Sequence, residues 1–224
     1  METERPPHSP QIKICGLTSP REAEACARAG ADAIGIVSFP KSPRHVDDRK
    51  IRAITSVLPE SVCPVGVFVN EPFARIMEVV NVGGLRAVQL HGQEAPTLVK
   101  ALSAEGLIVI KALFVNAPPG LDQAPRYPAT AFLVECAGGR LPGGNAMQWD
   151  WSEARRILSE QPIVLAGGLA PANIRQAITE ANPDAVDVSS GVESRPGRKD
   201  IGKVIAFCRA VADGPKIDTR KVFA

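Results

Sequence analysis

Several side chains that could transfer protons stand directly after short apolar runs of this sequence. Cys15 and Gly16 follow the run QIKI, His91 and Gly92 follow VQL, and Glu135 follows FLV. A thiol can accept a proton from carbon when its neighbours favour the thiolate, and a carboxyl group can donate one when it is held protonated. The sequence therefore offers a candidate base, Cys15, and a candidate acid, Glu135.

Two further residues could lie in the same pocket as these. Lys13 stands two positions before Cys15, so both side chains would point to one face of a strand. His91 could be an acid–base group, but the sequence favours a neutral, hydrogen-bonding structural role for it. Cys15 has a structural alternative as well, because a lone cysteine is commonly a small buried hydrophobe. Lys13 and His91 are therefore predicted as possible pocket residues only.

A loop rich in basic residues offers a site for an anion. The stretch SFPKSPRHV, residues 38–46, carries Lys41, Arg44 and His45 and contains two prolines that restrict its backbone. The planar guanidinium of arginine suits a carboxylate or a phosphate, which it can bind through two parallel hydrogen bonds. Composition alone leaves a solvated basic loop as an equal alternative.

Glycine-bearing turns late in the chain are candidates for a phosphate site. Such turns present backbone N–H groups to an anion, and serine hydroxyls can add donors. A single pair of glycines is weak evidence, but two such turns after consecutive strands are stronger. The positions are Gly143 and Gly144 in LPGGN, Gly167 and Gly168 in LAGGL, and Ser189, Ser190 and Gly191 in DVSSGVE.

The elements that would position these residues are short apolar runs separated by helical patterns. In SPREAEACARAG, Thr18 or Ser19 can cap a helix that has Pro20 just inside its start and Gly30 after its end. Strands that alternate with helices pair in parallel, and continuous apolar strands fit a sheet buried on both faces. The runs predict eight strands that end near Cys15, Val37, Val69, Leu90, Leu113, Glu135, Ala166 and Val188.

Eight strand–helix units predict a single-domain (β/α)₈ TIM barrel of the α/β class, with its functional residues at the carboxyl ends of the strands. An open doubly wound sheet is the alternative, although no GxGxxG follows the first strand. The segment VNAPPGLDQAPRYP after the fifth strand is a poor helix, so that unit should be degenerate. The barrel is predicted over residues 11–212, with tails at 1–10 and 213–224, the latter either disordered or covering a surface.

Composition excludes several classes of function. A net charge of +2, with 22% charged residues in a chain of 224, gives no electrostatic reason to expect nucleic acid or an anionic membrane as partner. No apolar run reaches the roughly 18 residues of a membrane span. Five cysteines without paired metal spacing indicate a reducing cytoplasm and no metal site. A phosphorylated small molecule is the expected partner, and the chain is expected to be a monomer.

Six ordered motifs resemble the phosphoribosylanthranilate isomerase family over roughly residues 11–210. They are KICGLT, GIVSFPKSPRHV, VGVFVN, VQLHG, LAGGLAPANI and DVSSGVESRPGRKD. The resemblance implies a (β/α)₈ barrel without a cofactor. It also implies the family's reaction in tryptophan biosynthesis, an Amadori rearrangement of the aminoaldose N-(5'-phosphoribosyl)anthranilate to the matching aminoketose phosphate.

The resemblance also implies individual roles. Cys15 matches the general base that removes the proton from C2 of the opened sugar. Arg44 matches the arginine that contacts the anthranilate carboxylate. The phosphate cradle corresponds to Gly167, Gly168, Ser189, Ser190 and Gly191. Counting back from Gly143 and Gly144, the family's acid falls on Glu135.

The sequence departs from the family pattern around that acid. The family has an aspartate there, before a GGTG or GGSG turn, whereas this chain has Glu135 and the turn GGNA, with Asn145 as a possible pocket residue and Ala146 after it. One extra methylene moves a carboxyl group by about 1 Å, a displacement that can cost about a hundredfold in rate unless the loop compensates. The altered turn could supply that compensation.

Two rivals to the isomerase remain open from the sequence. One is a related isomerase for an aminoaldose phosphate that lacks the anthranilate ring, with Glu135 and Asn145 reshaping the site. The other is a non-catalytic barrel that binds phosphorylated metabolites. Turnover and growth of a tryptophan auxotroph would separate the three possibilities.

Overall fold

Eight parallel strands close into a barrel in the computed structural model of the chain, which describes residues 8–137, 149–157 and 159–223. Each strand pairs with the next, and β8 pairs with β1 to close the sheet. The strands are β1 Gln11–Cys15, β2 Ala33–Val37, β3 Cys63–Phe68, β4 Ala87–Leu90, β5 Ile108–Phe114, β6 Ala131–Glu135, β7 Ile163–Leu165 and β8 Ala185–Val188. A short hairpin, β9 Glu193–Arg195 and β10 Arg198–Lys199, follows β8.

Six α-helices of the described residues pack outside the sheet. Pro20 lies in the first turn of the first helix, as the sequence predicts, but the predicted cap is wrong, because the Ser19 side chain makes no capping hydrogen bond and the Thr18 hydroxyl donates to the carbonyl of Gly197 instead. Other helices are capped by aspartate side chains, which were not predicted as caps; Asp47, for example, accepts a hydrogen bond from the Lys50 N–H. The helices are α1 Pro20–Arg28, α2 Asp48–Thr55, α3 Phe73–Gly83, α4 Pro96–Ala104, α5 Ile174–Ala181 and α6 Ile201–Ala212.

The closed barrel confirms the predicted fold, and the open-sheet alternative is wrong. Five predicted strand ends match the observed ones, at Cys15, Val37, Leu90, Glu135 and Val188. Leu113 lies one residue before the observed end, and Val69 and Ala166 each lie one residue beyond it. The predicted degenerate unit is confirmed as a 3₁₀ helix, Leu121–Arg126, which contains Pro125. The unit after β6 also has a 3₁₀ helix, Trp151–Arg156, which the sequence did not indicate.

Residues 217–223 cover the base of the barrel, opposite the carboxyl ends of the strands. The base is roomy because even-numbered strands place alanines inside it, and Val222 and Phe223 pack against these alanines. The Gln11 side chain accepts hydrogen bonds from the backbone N–H groups of both residues, at 2.7 and 2.9 Å. Val222 and Phe223 therefore belong to the core of the fold. No helix in the described ranges is long and apolar enough to cross a membrane.

Candidate active site

A pocket opens at the carboxyl ends of the strands, the end of a barrel where function is expected. Residues from β1, β4 and β6 and from the loops after β2, β7 and β8 line it together. Those predicted from the sequence and found in its wall are Cys15, Arg44, His91, Glu135, Gly167, Gly168, Ser189 and Ser190.

Cys15 forms part of the pocket floor, above a buried ion pair. Lys13 lies one layer deeper on β1 and is fully buried, and its Nζ is 3.0 Å from Oδ1 of Asp187 on β8. Asp187 lines the pocket beside Cys15. Burial raises the pKa of the Cys15 thiol above its usual value, while the neighbouring Lys13 ammonium opposes that rise.

Glu135 ends β6 and reaches the pocket through a chain of hydrogen bonds. Its Oε1 lies 3.0 Å from Nε2 of His91, whose Nδ1 lies 2.9 Å from Nε2 of Gln89. Because the amide nitrogen of Gln89 donates to Nδ1, the Nε2–H of His91 is the group that donates to Glu135. One oxygen of the Glu135 carboxyl group is thus held by His91, and the other remains for a ligand.

The loop that carries His91 is anchored from outside the barrel. Lys111 of β5 is fully buried and donates to the carbonyls of Leu90 and Gly92 and to Oε2 of Glu94, the last at 2.9 Å. Glu94 also accepts from the N–H of Gly92. These bonds fix the backbone on both sides of His91 and therefore the position of its ring.

Arg44 is held in the loop after β2 by a carboxylate at the start of β9. Its Nε and one terminal nitrogen donate to the two oxygens of Glu193, at 2.8 and 2.7 Å. Lys199 donates to the same carboxylate at 2.9 Å and to the carbonyl of Ser189. Burial alone would raise the pKa of Glu193, but the hydrogen bonds from Arg44 and Lys199 hold it below its usual value. The other N–H groups of Arg44 remain as donors toward the pocket.

Three side chains orient the turn after β7. Trp149 donates to the carbonyl of Ala166 and Trp151 to that of Gly167, at 3.1 and 3.2 Å, while the Asn173 amide donates to the carbonyl of Gly168. In a planar trans peptide the following N–H points opposite to the carbonyl. The N–H groups of Gly167, Gly168 and Leu169 therefore point away from these three side chains.

The turn after β8 packs closely against that first turn. A Cβ on Gly191 would collide with the carbonyl oxygen of Leu169, so only glycine allows this approach. Ser190 begins a short 3₁₀ helix, and Ser189 and Ser190 both line the pocket. The two turns thus form one surface of N–H and hydroxyl donors, which suits a phosphate.

The opposite wall of the pocket is apolar. It is formed by Val37, Phe39, Val67 and Val69, at the ends of β2 and β3 and just beyond them. Arg44 lies beside this wall. A flat apolar group that carries a carboxylate would match the combination of apolar surface and guanidinium.

Two predicted residues support the pocket from behind. Lys13 lies beneath its floor and Gly191 behind its wall. Gly143, Gly144 and Asn145 lie outside the described residues. Within those residues, no group of three His, Cys, Asp or Glu side chains is arranged to hold a metal ion.

Sequence reasoning missed Gln89, Glu193 and Lys199 as supporting residues. Gln89 carried a usable signal, since it stands two positions before His91 on the same strand. Glu193 and Lys199 lie within a recognised motif, but nothing in their spacing indicates that they hold Arg44.

The barrel and its pocket define a class: a (β/α)₈ barrel in which a thiol and a carboxyl group line one pocket beside turns that suit an anion. The comparisons with known proteins are more specific. The family model of N-(5'-phosphoribosyl)anthranilate (PRA) isomerase matches residues 12–210. The chain therefore belongs to the phosphoribosylanthranilate isomerase family, and it is an aldose–ketose isomerase of tryptophan biosynthesis.

Individual relatives agree with the family model. The N-(5'-phosphoribosyl)anthranilate isomerase of Desulfatibacillum aliphaticivorans is 49% identical over 96% of this chain and 99% of its own length. That of Rubrobacter xylanophilus is 43% identical over 84% of this chain and 92% of its own.

Solved structures show the same fold. The Thermotoga maritima isomerase superposes with a TM-score of 0.81 at 38% identity, over 90% of this chain and 98% of its own. An isomerase solved in complex with reduced 1-(o-carboxyphenylamino)-1-deoxyribulose 5-phosphate has a TM-score of 0.78, with the same identity and coverage.

Proposed function

We propose that the chain converts N-(5'-phosphoribosyl)anthranilate to 1-(2-carboxyphenylamino)-1-deoxyribulose 5-phosphate, with Glu135 as general acid and Cys15 as general base. One observation carries these roles: both groups line one pocket, from β6 and β1, between a surface of anion-binding turns and an apolar wall next to Arg44. A substrate with a phosphate at one end and an aromatic carboxylate at the other fits that order of groups.

Binding fixes the two ends of the substrate. The phosphate accepts hydrogen bonds from the N–H groups of Gly168 and Ser190 and from the hydroxyls of the second turn. The anthranilate ring lies against Val37 and Phe39, and its carboxylate binds the N–H groups of Arg44 that Glu193 leaves free. The furanose is thereby held between Glu135 and Cys15.

Ring opening is the first chemical step. Glu135 donates its proton to the furanose oxygen, the bond between that oxygen and C1 breaks, and the nitrogen lone pair forms the C1=N bond of a protonated Schiff base. The His91 N–H, 3.0 Å from the other oxygen of Glu135, stabilises the carboxylate that results. A group so placed can raise the rate by about 10²- to 10⁴-fold.

Proton abstraction is the second step. The Cys15 thiolate takes the proton from C2, and the electrons of the C–H bond form the C1=C2 bond of an enolamine as the C1=N bond becomes single. Tautomerisation then moves the proton of the C2 hydroxyl away and adds one to C1, which gives the ketose. No oxidant or second substrate is required.

Glutamate in place of the family's aspartate is accommodated by its hydrogen bond to His91. The longer side chain needs a fixed position if its carboxyl group is to meet the ring oxygen. The chain from Gln89 through His91 supplies a restraint at the distal end of the side chain, within the described part of the pocket.

A monomer in the cytoplasm is the expected setting. The large hydrophobic side chains that are exposed in the described residues, Val57, Phe73, Val82 and Ile205, are dispersed over three helical regions. Five free thiols suit a reducing compartment. Sedimentation equilibrium would test the monomer directly.

Turnover of freshly generated phosphoribosylanthranilate, followed by the loss of anthranilate fluorescence, tests the proposed roles. Cys15→Ser and Glu135→Gln should each lower kcat by at least about a hundredfold, with circular dichroism unchanged. Cys136→Ser, next to Glu135 in sequence but outside the pocket wall, is the matched control and should keep wild-type turnover. Near-normal activity of Cys15→Ser or Glu135→Gln would remove that residue from its role.

A further inference from the structure

Gly35 of β2 is the point at which two side chains of β1 converge. Cys15 pairs with Gly35 in the sheet. A Cβ on Gly35 would lie 2.7 Å from Sγ of Cys15 and 3.0 Å from Nζ of Lys13. The space left by the missing side chain is thus filled by the thiol and the ammonium together, so Lys13 reaches upward toward Cys15.

Lys13 is an unusual occupant of the barrel interior. Its side chain is fully buried, and Asp187 is its ion-pair partner at 3.0 Å. Neither Nζ of Lys13 nor Oδ1 of Asp187 makes a well-aligned hydrogen bond within the described residues. A buried ammonium with so few acceptors is costly, so packing alone does not account for it.

Charged groups surround Cys15 from several elements. Lys13 lies on the same strand as Cys15, Asp187 lies on β8, and Lys199 lies on the β9–β10 hairpin. Arg44, which is paired with Glu193, faces Cys15 from the loop after β2. Glu135 at the end of β6 and His91 just after β4 line the same pocket. Lys13 is the largest of the influences that favour the thiolate, and Asp187 opposes it. Burial would lower the pKa of Lys13, but Asp187 and Cys15 more than offset this, so the ammonium persists.

We propose that Lys13 is a positioning residue for the base: its buried ammonium, held by Asp187, lies against Cys15 and stabilises the thiolate that receives the substrate proton. This inference rests on the proposed role of Cys15. Lys13 itself does not touch the substrate, because the pocket floor covers it completely. The Lys13–Asp187 pair has no net charge, so ionisation of Cys15 gives the cluster a single negative charge next to a cation.

Alkylation of Cys15 by iodoacetamide, followed across pH by peptide mass spectrometry, tests the proposal without any turnover. In Lys13→Met, Cys15 should be alkylated at least about tenfold more slowly than in wild type at pH 8. At high pH the thiolate forms even without the Lys13 ammonium, so the rate should approach that of wild type. In Asp187→Asn, alkylation at the lower pH should be faster than in wild type. The double variant should lie between Lys13→Met and wild type.

Two controls separate an electrostatic effect from a change in packing. Alkylation of Cys136 in the same samples should be equal in all variants, and Lys100→Met, on the exposed face of α4, should match wild type at Cys15. An unchanged rate in folded Lys13→Met, or a rate lowered equally at every pH, would overturn the proposal. If Lys13→Met does not fold, Asp187→Asn decides: faster alkylation supports the proposal, and unchanged or slower alkylation overturns it.

Turnover distinguishes this inference from the proposed function. If wild type is active, the rise of kcat/KM with pH should move to higher pH in Lys13→Met. If wild type does not turn over the substrate at all, the proposed function fails, yet the alkylation profiles still report whether Lys13 stabilises the thiolate.

Discussion

Lys13 and Lys111 are both fully buried lysines on barrel strands, and each pairs with a carboxylate at about 3 Å, 3.0 and 2.9 Å respectively. Their surroundings differ. Lys111, on the outer side of the sheet, also donates to two carbonyls and has its Nζ 5.6 Å from the ring centre of Tyr127. Lys13, on the inner side, has Asp187 and the thiol of Cys15.

The difference separates a structural ion pair from a functional one. Burial holds the pKa of Lys111 below its usual value, whereas Asp187 and Cys15 overcome burial at Lys13 and raise its pKa. A lysine whose donors are all used fixes the backbone around it. A lysine left with few acceptors is in a position to stabilise another negative charge.

The largest effect on stability should come from Lys111→Met. It leaves Glu94 buried without its cation, so the free energy of unfolding should fall by about 3–5 kcal/mol in urea denaturation. In the double variant with Glu94→Gln the free energy of unfolding should fall less, because no unpaired carboxylate is left buried. Lys13→Met should also lower the free energy of unfolding by less than Lys111→Met does, since Asp187 borders the open pocket. An equal decrease in the two variants would remove the distinction between the two lysines.

Gly35→Ala should damage the Lys13 region through geometry alone. The added methyl group would displace the thiol of Cys15, and a shift of about 1 Å can lower turnover about a hundredfold. Gly66→Ala on the neighbouring strand is the control, because its Cβ would meet Leu85 and Phe68 on the helix side of the sheet. That variant should lose stability but keep the alkylation profile of Cys15. A wild-type rate for Gly35→Ala would mean that the thiol can move freely.

Glu193→Gln extends the comparison to a third buried ion pair, one that touches the proposed substrate site. An amide cannot balance Arg44 and Lys199 together, so Arg44 should lose its fixed orientation and KM should rise about tenfold, while kcat changes far less. Glu105→Gln, at an exposed helix end, should leave both constants unchanged. A fall in kcat with unchanged KM would contradict this division of roles.

The smallest effect is expected at a half-exposed pair, Asp48 with Arg75, whose side-chain nitrogen and oxygen lie 2.6 Å apart. Hydrogen bonds from Arg75 hold the pKa of Asp48 below its usual value. The pair therefore stabilises the fold at pH values above the pKa of Asp48 in the unfolded chain, about 3.9. That stabilisation is lost as the pH falls through the lower pKa of Asp48 in the folded protein. Asp48→Asn should lower the free energy of unfolding by less than about 1 kcal/mol at pH 7. Urea denaturation at pH 7 and pH 3 should show that difference become smaller in acid.

Local sequence predicted the elements better than it predicted their contacts. Apolar runs bounded by glycine located the strand ends near Cys15, His91 and Glu135, because strand formation and burial depend on neighbouring residues. The prolines of the segment after β5 indicated its loss of a regular helix. These signals placed a base and an acid at the same end of one barrel.

Contacts between distant segments were beyond local reasoning. Glu193 lies 149 residues from Arg44, and Asp187 meets Lys13 only because β8 closes the barrel against β1. Lys111 stands inside an apolar run that gives no indication of Glu94 as its partner. Such pairs depend on the register of the closed sheet, which no single segment contains.

The cover on the barrel base has a consequence for the order of folding. Gln11 bonds to Phe223, 212 residues later, and residues 217–223 follow every strand of the barrel. Contacts of such separation carry a large loop-closure cost and are expected to form late. A growing chain whose eight strands have already been made therefore still lacks the cover over the alanines of its base, until residues 217–223 have been made and dock.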